Sequence, residues 1–404
     1  MRKGTGRLTA ILSFSVAALF LMGVGTVPAT AASTPTFPTW ADVLAAEKNA
    51  AAKKAEIAKI TAILDSLQSQ SAASGKTALQ AGEAYDEAVN ALQTATATAK
   101  KLDAQAAAAK KKATKAAREA GELAAQLARE GYGNVGLDLF LNGKKAGNLL
   151  DVLGTVNNLG QTSEHIFTVA EQEHRSAVAL GRQASAAEAD KSKKATAAKA
   201  AYSSAMGLAN AAEAKVNSQT SEQKLLTAQL ASLNGTTASI EAQYLAGVAW
   251  EAKQAAQKTP PADPPPPVTE PGAPNSTLVN IAIAFARAQL GKPYVLDGYG
   301  PNDWDCSGLT KASWAAAGVY IGIHGSDAQY NYMKSENRLV PIEDRQPGDL
   351  LFYSDGGSTS ASKYHVTLYI GNGEMIEAPY PGVDVRIAAV RYGDLVPYVG
   401  RPTG

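Results

Sequence analysis

No proline interrupts the chain between Pro38 and Pro260, and the intervening stretch consists mainly of Ala, Lys, Glu, Gln, Leu and Ser. Proline is the strongest helix breaker, whereas these residues favour helices. Apolar residues recur at heptad spacing near both ends of the stretch, which is typical of a coiled coil. The sequence therefore predicts paired long helices over residues 40–258. The heptad positions are Ile57, Ile60, Leu64 and Leu67 at one end, and Leu226, Leu230, Leu233, Thr237, Ile240 and Tyr244 at the other.

The middle of this region differs in composition. Residues 131–159 are rich in glycine and in large apolar residues, between helical segments of similar length at 40–130 and 160–258. Because an antiparallel hairpin needs arms of matching length, we predict that 131–159 form its tip. The apolar residues there should pack back on the arms or face a partner. They are Leu137, Leu139, Phe140, Leu141, Leu149, Leu150 and Leu153. Weak points or breaks in the helices are expected at Gly75 and at Asn234-Gly235.

The amino terminus is typical of an export signal. Three basic residues precede an apolar stretch at about 8–27, and Ala29-Thr30-Ala31 offers a small-residue cleavage site. The alternative is an uncleaved membrane anchor, against which the cleavage site argues. We therefore predict a signal peptide at 1–31 and a secreted, cell-wall-associated chain without stable membrane insertion.

Charge and cysteine content restrict the classes of function. The net charge of +1 provides no electrostatic footprint for nucleic acid. Cys306 is the single cysteine, so the chain cannot form an internal disulfide. A lone cysteine in a secreted protein is a reactive thiol, an intermolecular link or an inert buried residue. The residues around Cys306 have to decide between these alternatives.

A proline-rich linker separates the helical region from a last domain. Residues 259–275 contain eight prolines, and such a segment is semi-rigid and spans about 50 Å when extended. In the domain at 276–404, two helices precede strands, and the second helix begins just after Cys306. Helices followed by antiparallel strands predict an α+β domain. The predicted strands are 350–353, 365–370 and 375–378.

Cys306 has the neighbours that a nucleophilic thiol requires. The start of a helix favours a thiolate and can hold an oxyanion. Of the domain's two histidines, His324 lies in a loop and His365 on a strand, where a general base would be held rigidly. Glu377 could orient the imidazole if a three-residue loop at 371–373 puts both side chains on one face. An ordinary histidine and a solvated carboxylate are the alternatives.

Five motifs in this domain follow one another in the order of a known family. They are Gly291-Lys292-Pro293-Tyr294, Asp305-Cys306-Ser307-Gly308-Leu309, Gln346-Pro347-Gly348-Asp349-Leu350, His365-Val366 and Tyr369-Ile370-Gly371-Asn372-Gly373. Through them, residues 284–404 resemble the NlpC/P60 family of papain-like cell-wall endopeptidases. The resemblance implies Cys306 as nucleophile, His365 as base and Glu377 as the residue that orients the histidine. The substrate-binding residues that it implies are Tyr294, Asp305 and Ser307, the last two near the substrate's amine.

The resemblance also implies a reaction. Cys306 would cut a peptidoglycan stem peptide through a thioester, at the bond between γ-D-glutamate and a diamino acid, without metal or other cofactor. Two segments depart from the family pattern, Leu296-Asp297-Gly298 and Ile323-His324-Gly325-Ser326, and both should border the cleft. Alternatives are a muramoyl-L-alanine amidase or an acyltransferase on the same scaffold, or a non-enzymatic coiled-coil scaffold protein.

The helical half resembles the coiled coils that precede such peptidases in secreted wall hydrolases of Gram-positive bacteria, where they are thought to restrain or localise the enzyme. This resemblance implies a role in cell-wall remodelling or daughter-cell separation. We expect the hairpin to cover part of the cleft. A cell-surface or divisome activator that binds the coiled coil would then open it.

Overall fold

The computed structural model describes residues 38–130, 149–236, 238–255 and 272–404. The predicted signal peptide, the first part of the predicted tip and most of the predicted linker lie outside these ranges. The extents of those three segments therefore stay predictions.

Two very long helices form an antiparallel hairpin. Helix α2 (Ala50–Glu130) and helix α3 (Leu149–Asn234) are each roughly 120 Å long at 1.5 Å per residue. The short helix α1 (Trp40–Ala46) precedes them, and α4 (Ala238–Ala255) follows after a turn. Helix α3 thus begins within the segment predicted as the tip. None of the helices in the described ranges is long and apolar enough to cross a membrane.

The open end of the hairpin is held by large apolar residues. Ile60 and Leu67 of α2 are buried against Leu226, Leu230 and Leu233 of α3. Farther along, the buried residues of both helices are mostly alanines, which let the helix axes approach closely. The heptad prediction is confirmed for this end of the hairpin.

The same heptad does not continue past α3. Gly235 adopts φ +66°, a left-handed conformation that ends the helix, which confirms the break expected at Asn234-Gly235. Because the chain turns there, Ile240 and Tyr244 leave the seam and are 56% and 64% exposed. Their assignment to the heptad was wrong.

Of the two alternatives expected at Gly75, a break does not occur, because helix α2 runs through this residue without interruption. The absent side chain instead makes room for Tyr380 of the C-terminal domain. A Cβ atom built on Gly75 would lie 2.4 Å from the Tyr380 ring. Gly75 is therefore a point of close contact between the hairpin and the C-terminal domain.

The C-terminal domain is α+β, as predicted. Helices α5 (Ser276–Arg287), α6 (Cys306–Ala316) and α7 (Ser326–Ser335) pack on a six-stranded antiparallel sheet of order β1-β6-β2-β3-β4-β5. The buried side chains of Trp314 and Met333 belong to the core that joins helices and sheet. The strands are β1 (Leu339–Pro341), β2 (Leu350–Ser354), β3 (Lys363–Gly371), β4 (Glu374–Glu377), β5 (Arg386–Ala389) and β6 (Leu395–Gly400).

The β3–β4 connection differs from the predicted one. Gly371 pairs with Glu374, so the turn contains two residues and the predicted three-residue loop was wrong. The register shifts by one residue between Tyr369 and Gly371, an irregularity of the β-bulge type. This shift compensates for the shorter turn, and His365 and Glu377 therefore still share one face.

The contact at Gly75 is testable. Gly75→Ala should favour helix formation by about 1 kcal/mol but should push the Tyr380 ring away. We expect faster labelling of the single cysteine, Cys306, by a thiol reagent in the full-length chain. Gly121→Ala is the matched control, because Gly121 lies in the same helix and a Cβ atom added there would have no neighbour within 4 Å. Equal labelling rates in the two variants would contradict the contact.

Candidate active site

Cys306 is the first residue of α6, and Asp305 is the N-cap of that helix. Asp305 Oδ1 accepts hydrogen bonds from the Gly308 N–H at 2.7 Å and from the Ser307 hydroxyl at 3.1 Å. A carboxylate at this position satisfies N–H groups that have no partner within the helix. The cap therefore fixes the thiol at the positive end of α6.

The thiol is enclosed on all sides. Cys306 Sγ lies 3.4 Å from the Ser326 hydroxyl and receives a hydrogen bond from the Val366 backbone N–H. Burial and then the charge of Asp305 raise the pKa of this thiol, while the contacts from Ser326 and Val366 oppose that rise. Burial is the largest of these effects, and it opposes the thiolate that the start of a helix favours.

His365 and Glu377 form a buried pair. His365 Nε2 lies 3.0 Å from Glu377 Oε2. Because an ionised carboxylate only accepts, Nε2 carries the proton and Nδ1 presents its lone pair. Nδ1 is buried and has no hydrogen-bond partner in the described part of the chain. Burial lowers the pKa of His365, although Glu377 opposes the effect. The neutral imidazole can thus act as a base through Nδ1.

Two arginines, which the sequence analysis missed, surround Glu377. Arg391 donates to both carboxylate oxygens, at 2.8 and 2.6 Å, and Arg386 donates twice to Oε1 at 3.1 Å. Burial opposes ionisation of Glu377, but Arg391, the His365 hydrogen bond and Arg386 hold its pKa well below the usual value. Arg386 pairs with Glu377 across β4 and β5, a register that no local sequence signal revealed.

The three predicted substrate-binding residues are all buried beside the thiol. Asp305 Oδ2 lies 2.7 Å from His324 Nε2, and the Ser307 hydroxyl accepts from the Gly325 N–H at 3.1 Å. Both residues thus tie α6 to the loop before α7. Tyr294 is also buried, and burial followed by the charges of Cys306 and Asp305 raises its pKa, which keeps the phenol neutral.

Helix α2 crosses the cleft at the N-terminus of α7. Glu83 accepts hydrogen bonds from the backbone N–H groups of Ser326 at 2.7 Å and Asp327 at 3.0 Å. Asn90 donates to the His324 carbonyl at 3.1 Å. The hairpin therefore covers the residue that contacts the thiol. Other contacts are Lys76 with Asp355 and Asp394, each at 2.8 Å, and Ser362 with Glu87 at 2.6 Å.

The two segments that depart from the family pattern meet under the hairpin. His324 Nε2 lies 3.7 Å from Asp297 and 3.9 Å from Asp86 of α2. Asp86, Asp305 and His324 are also the group of described residues whose potential metal-ligand atoms lie within 4.8 Å of one another. The hydrogen bond between Asp305 and His324 accounts for their pairing, and we assign no metal to this group. In the sequence, this cluster is indicated by the two segments that depart from the family pattern, because they contain Asp297 and His324.

Comparison with known proteins finds a family that matches the C-terminal domain. The sequence model that describes the NlpC/P60 family matches residues 291–395. The peptidoglycan endopeptidase RipA of Mycobacterium tuberculosis is 37% identical over 132 residues, 30% of this chain and 26% of that protein. The probable endopeptidase p60 of Listeria monocytogenes is 41% identical over 101 residues, 25% of this chain and 19% of that protein.

A solved structure is similar over nearly its whole length. The P60 domain of an antigen from M. avium subspecies paratuberculosis is 33% identical and covers 32% of this chain and 96% of that chain, with a TM-score of 0.27. In contrast, the matched part is about a quarter or less of the length of the two curated relatives. The segment matched by the family model contains Cys306, His365 and Glu377. The chain therefore carries a domain of the NlpC/P60 family at residues 291–395.

Proposed function

We propose that this protein is a secreted cysteine peptidase that hydrolyses peptidoglycan stem peptides. The observation that carries the proposal is the single cysteine at the capped start of α6, beside Val366, which follows His365 of the hydrogen-bonded pair with Glu377. Relatives of the domain are described as peptidoglycan endopeptidases. The proposed bond joins γ-D-glutamate to a diamino acid, and the signal at 1–31 would export the chain to the cell wall.

The proposed reaction uses the free nitrogen of His365. Nδ1 takes the thiol proton as Cys306 Sγ attacks the carbonyl carbon, and the N–H groups at the start of α6 stabilise the oxyanion. The intermediate then expels the amine, which receives the proton from His365, and leaves a thioester. Water, deprotonated by His365, hydrolyses the thioester and regenerates the thiol. Tyr294, Asp305 and Ser307 would line the substrate site.

Three rival functions remain to be separated from this one. An amidase would release the whole stem peptide from muramic acid, and an acyltransferase would pass the acyl group to an amine instead of water. A coiled-coil scaffold protein would not react at all. The mass of the fragments from digested walls distinguishes the two enzymes from the endopeptidase.

We also propose that the hairpin holds the peptidase inactive. The Glu83 carboxyl occupies the N-terminus of α7 beside Ser326, so substrate and hairpin would compete for the same part of the cleft. A cell-surface partner that binds the hairpin in its released form would shift the population toward the open enzyme. Such control suits a wall hydrolase that would otherwise act without restraint.

Protonation of Glu83 should favour this closed form. Burial is the main reason that the pKa of Glu83 is raised from 4.5 to about 8, and the N–H groups of Asp327 and Ser326 only partly oppose it. Burial also raises the pKa of Asp86, with the charge of Asp305 as the next cause. The closed form binds these protons more tightly than the open form does. The stabilisation of the closed form by Glu83 is therefore complete below about pH 4.5 and is lost as the pH rises through about 8.

The first test concerns the nucleophile. Cys306→Ala should abolish release of peptides from purified walls, and Cys306→Ser should be nearly as inactive because a hydroxyl is a far weaker nucleophile at this site. Mass spectrometry of the products identifies the bond that is cut. Thermal unfolding serves as the control for folding. Full activity of Cys306→Ala would contradict the mechanism.

The second test concerns the covering helix. Glu83→Ala removes both hydrogen bonds to α7 and should raise wall hydrolysis by the full-length chain at least several-fold. Glu119→Ala is the matched control, because Glu119 lies on the same helix and forms its ion pair there with Lys115. If both variants were as active as the unaltered chain, the hairpin would be a spacer and not an inhibitor.

The third test uses pH. Energy transfer between dyes on α2 and β5, in a Cys306→Ala background, should report opening of the hairpin as the pH rises from 5 to 8.5. Glu83→Gln should show a weaker response, because an amide does not titrate in this range, and adding Asp86→Asn should remove most of the remainder. A response to pH that is the same in all three proteins would contradict the role of these carboxyls.

A further inference from the structure

We infer that Arg391 is a positioning residue for the reaction: it fixes the Glu377 oxygen that holds His365 and sets the charge around the imidazole. The inference rests on the proposed function for its catalytic consequence, whereas its geometry is independent of the substrate. Arg391 lies outside the five motifs and has no assigned role.

The contacts of Glu377 divide unequally between its two oxygens. Oε2 lies 3.0 Å from His365 Nε2 and 2.6 Å from Arg391 Nη2, whereas both bonds from Arg386 go to Oε1. Arg391 also donates to Oε1 at 2.8 Å, which completes a bidentate pair. A fork of this kind fixes the plane of a carboxylate more strictly than a single bond does. Only Arg391 therefore shares with His365 the oxygen that orients the base.

A second contact connects Arg391 to the same site. Its guanidinium group lies 5.1 Å from the centre of the Tyr353 ring, and that ring lies 5.5 Å from the ring of His365. Tyr353 and His365 are paired residues of β2 and β3. Arg391 thus contacts both Glu377 and Tyr353, which each lie against the imidazole of His365. Arg391 also remains 33% exposed, compared with 42% for Arg386, so neither arginine is an ordinary core residue.

The charges around His365 indicate what the pair of arginines does. The ionisable groups around the imidazole are Glu377 from β4, Arg386 from β5, Arg391 after β5 and Tyr353 from β2. The Cys306 thiol of α6 lies beside Val366, the residue that follows His365. A buried carboxylate alone would favour the imidazolium form. The two guanidinium groups exceed the charge of Glu377 by one unit and oppose that form. Burial is the main cause that lowers the pKa of His365, and the two arginines add to it, which favours an imidazole able to accept the thiol proton.

Burial makes this arrangement necessary. Glu377 has no exposed surface, and a buried carboxylate that loses a partner is strongly destabilising because the remaining charge is uncompensated. Arg386 alone contacts one oxygen of Glu377 only. Without Arg391 the carboxylate could rotate, and the position of His365 would then be set less precisely. The predicted effect is thus on orientation and proton affinity rather than on substrate contact.

The test uses nuclear magnetic resonance of the full-length chain with labelled histidine. The chain contains only four histidines, so few signals have to be assigned. Arg391→Gln should move the titration midpoint of His365 upward by about half a unit or more, because a charge that opposes imidazolium is lost. Arg391→Lys keeps the charge without the fork and should give a smaller shift. Arg401→Gln is the matched control, because Arg401 forms a comparable two-bond pair with a different buried carboxylate, that of Asp349.

Kinetics complete the test in a Glu83→Ala background with a soluble stem peptide. Arg391→Gln should lower kcat at least tenfold with KM changed less than threefold, and should move the acid limb of the pH profile upward. Arg391→Lys should recover part of kcat. The inference would be overturned if Arg391→Gln left the His365 titration and the pH profile unchanged and lost activity only in proportion to its fall in Tm. If the Glu83→Ala parent did not cut the peptide at all, the proposed function would fail, and the histidine titration alone would decide on Arg391.

Discussion

The carboxylate of Asp305 is the interaction on which the site depends. One of its oxygens caps α6 and so sets the position of Cys306, while the other binds His324 and so fixes the loop before α7. That loop leads to Ser326, which touches the thiol, and to the two N–H groups that receive Glu83. A single buried carboxylate therefore links Cys306, the opposite wall of the cleft and the surface that the hairpin covers.

The buried carboxyl groups around the site differ in the direction in which their pKa values are shifted. Glu377 is surrounded by two arginines and a histidine, and its pKa is held low, so it carries its charge in the interior. Glu83 and Asp86 enter from the hairpin into a region that already holds Asp305, and burial raises their pKa values. The first arrangement is suited to a permanent part of the site. The second is suited to a contact that forms and breaks, because the ionised groups gain solvation on leaving.

The hairpin and the C-terminal domain are complementary in shape as well as in charge. Tyr380 packs on α2 where Gly75 has no side chain, and Gly382 packs closely against Val216 of α3. Lys76 reaches two aspartates of the domain a single residue farther along α2. These contacts lie on one side of Glu83 along the hairpin, and the hydrogen bond from Asn90 to the His324 carbonyl lies on the other side. The position of the Glu83 carboxyl is therefore set from both sides. Long helices whose buried residues are mostly alanines provide a frame for such a contact, since the contact between them needs few large side chains.

The sequence by itself determined the long helices and the α+β domain, and it predicts Cys306, His365 and Glu377 as the reaction centre. Helix composition without proline, heptad spacing and family motifs are local signals, and they do not require knowledge of distant contacts. Tertiary structure alone decided three other features. They are the contact of Gly75 with Tyr380, the two-residue turn with its bulge, and the arginines around Glu377. Each of these depends on a register or a packing between segments far apart in the chain. Glu83 is the clearest case: on a helix surface it is one acidic residue among many, and only the fold brings its carboxyl to the start of α7 beside Cys306.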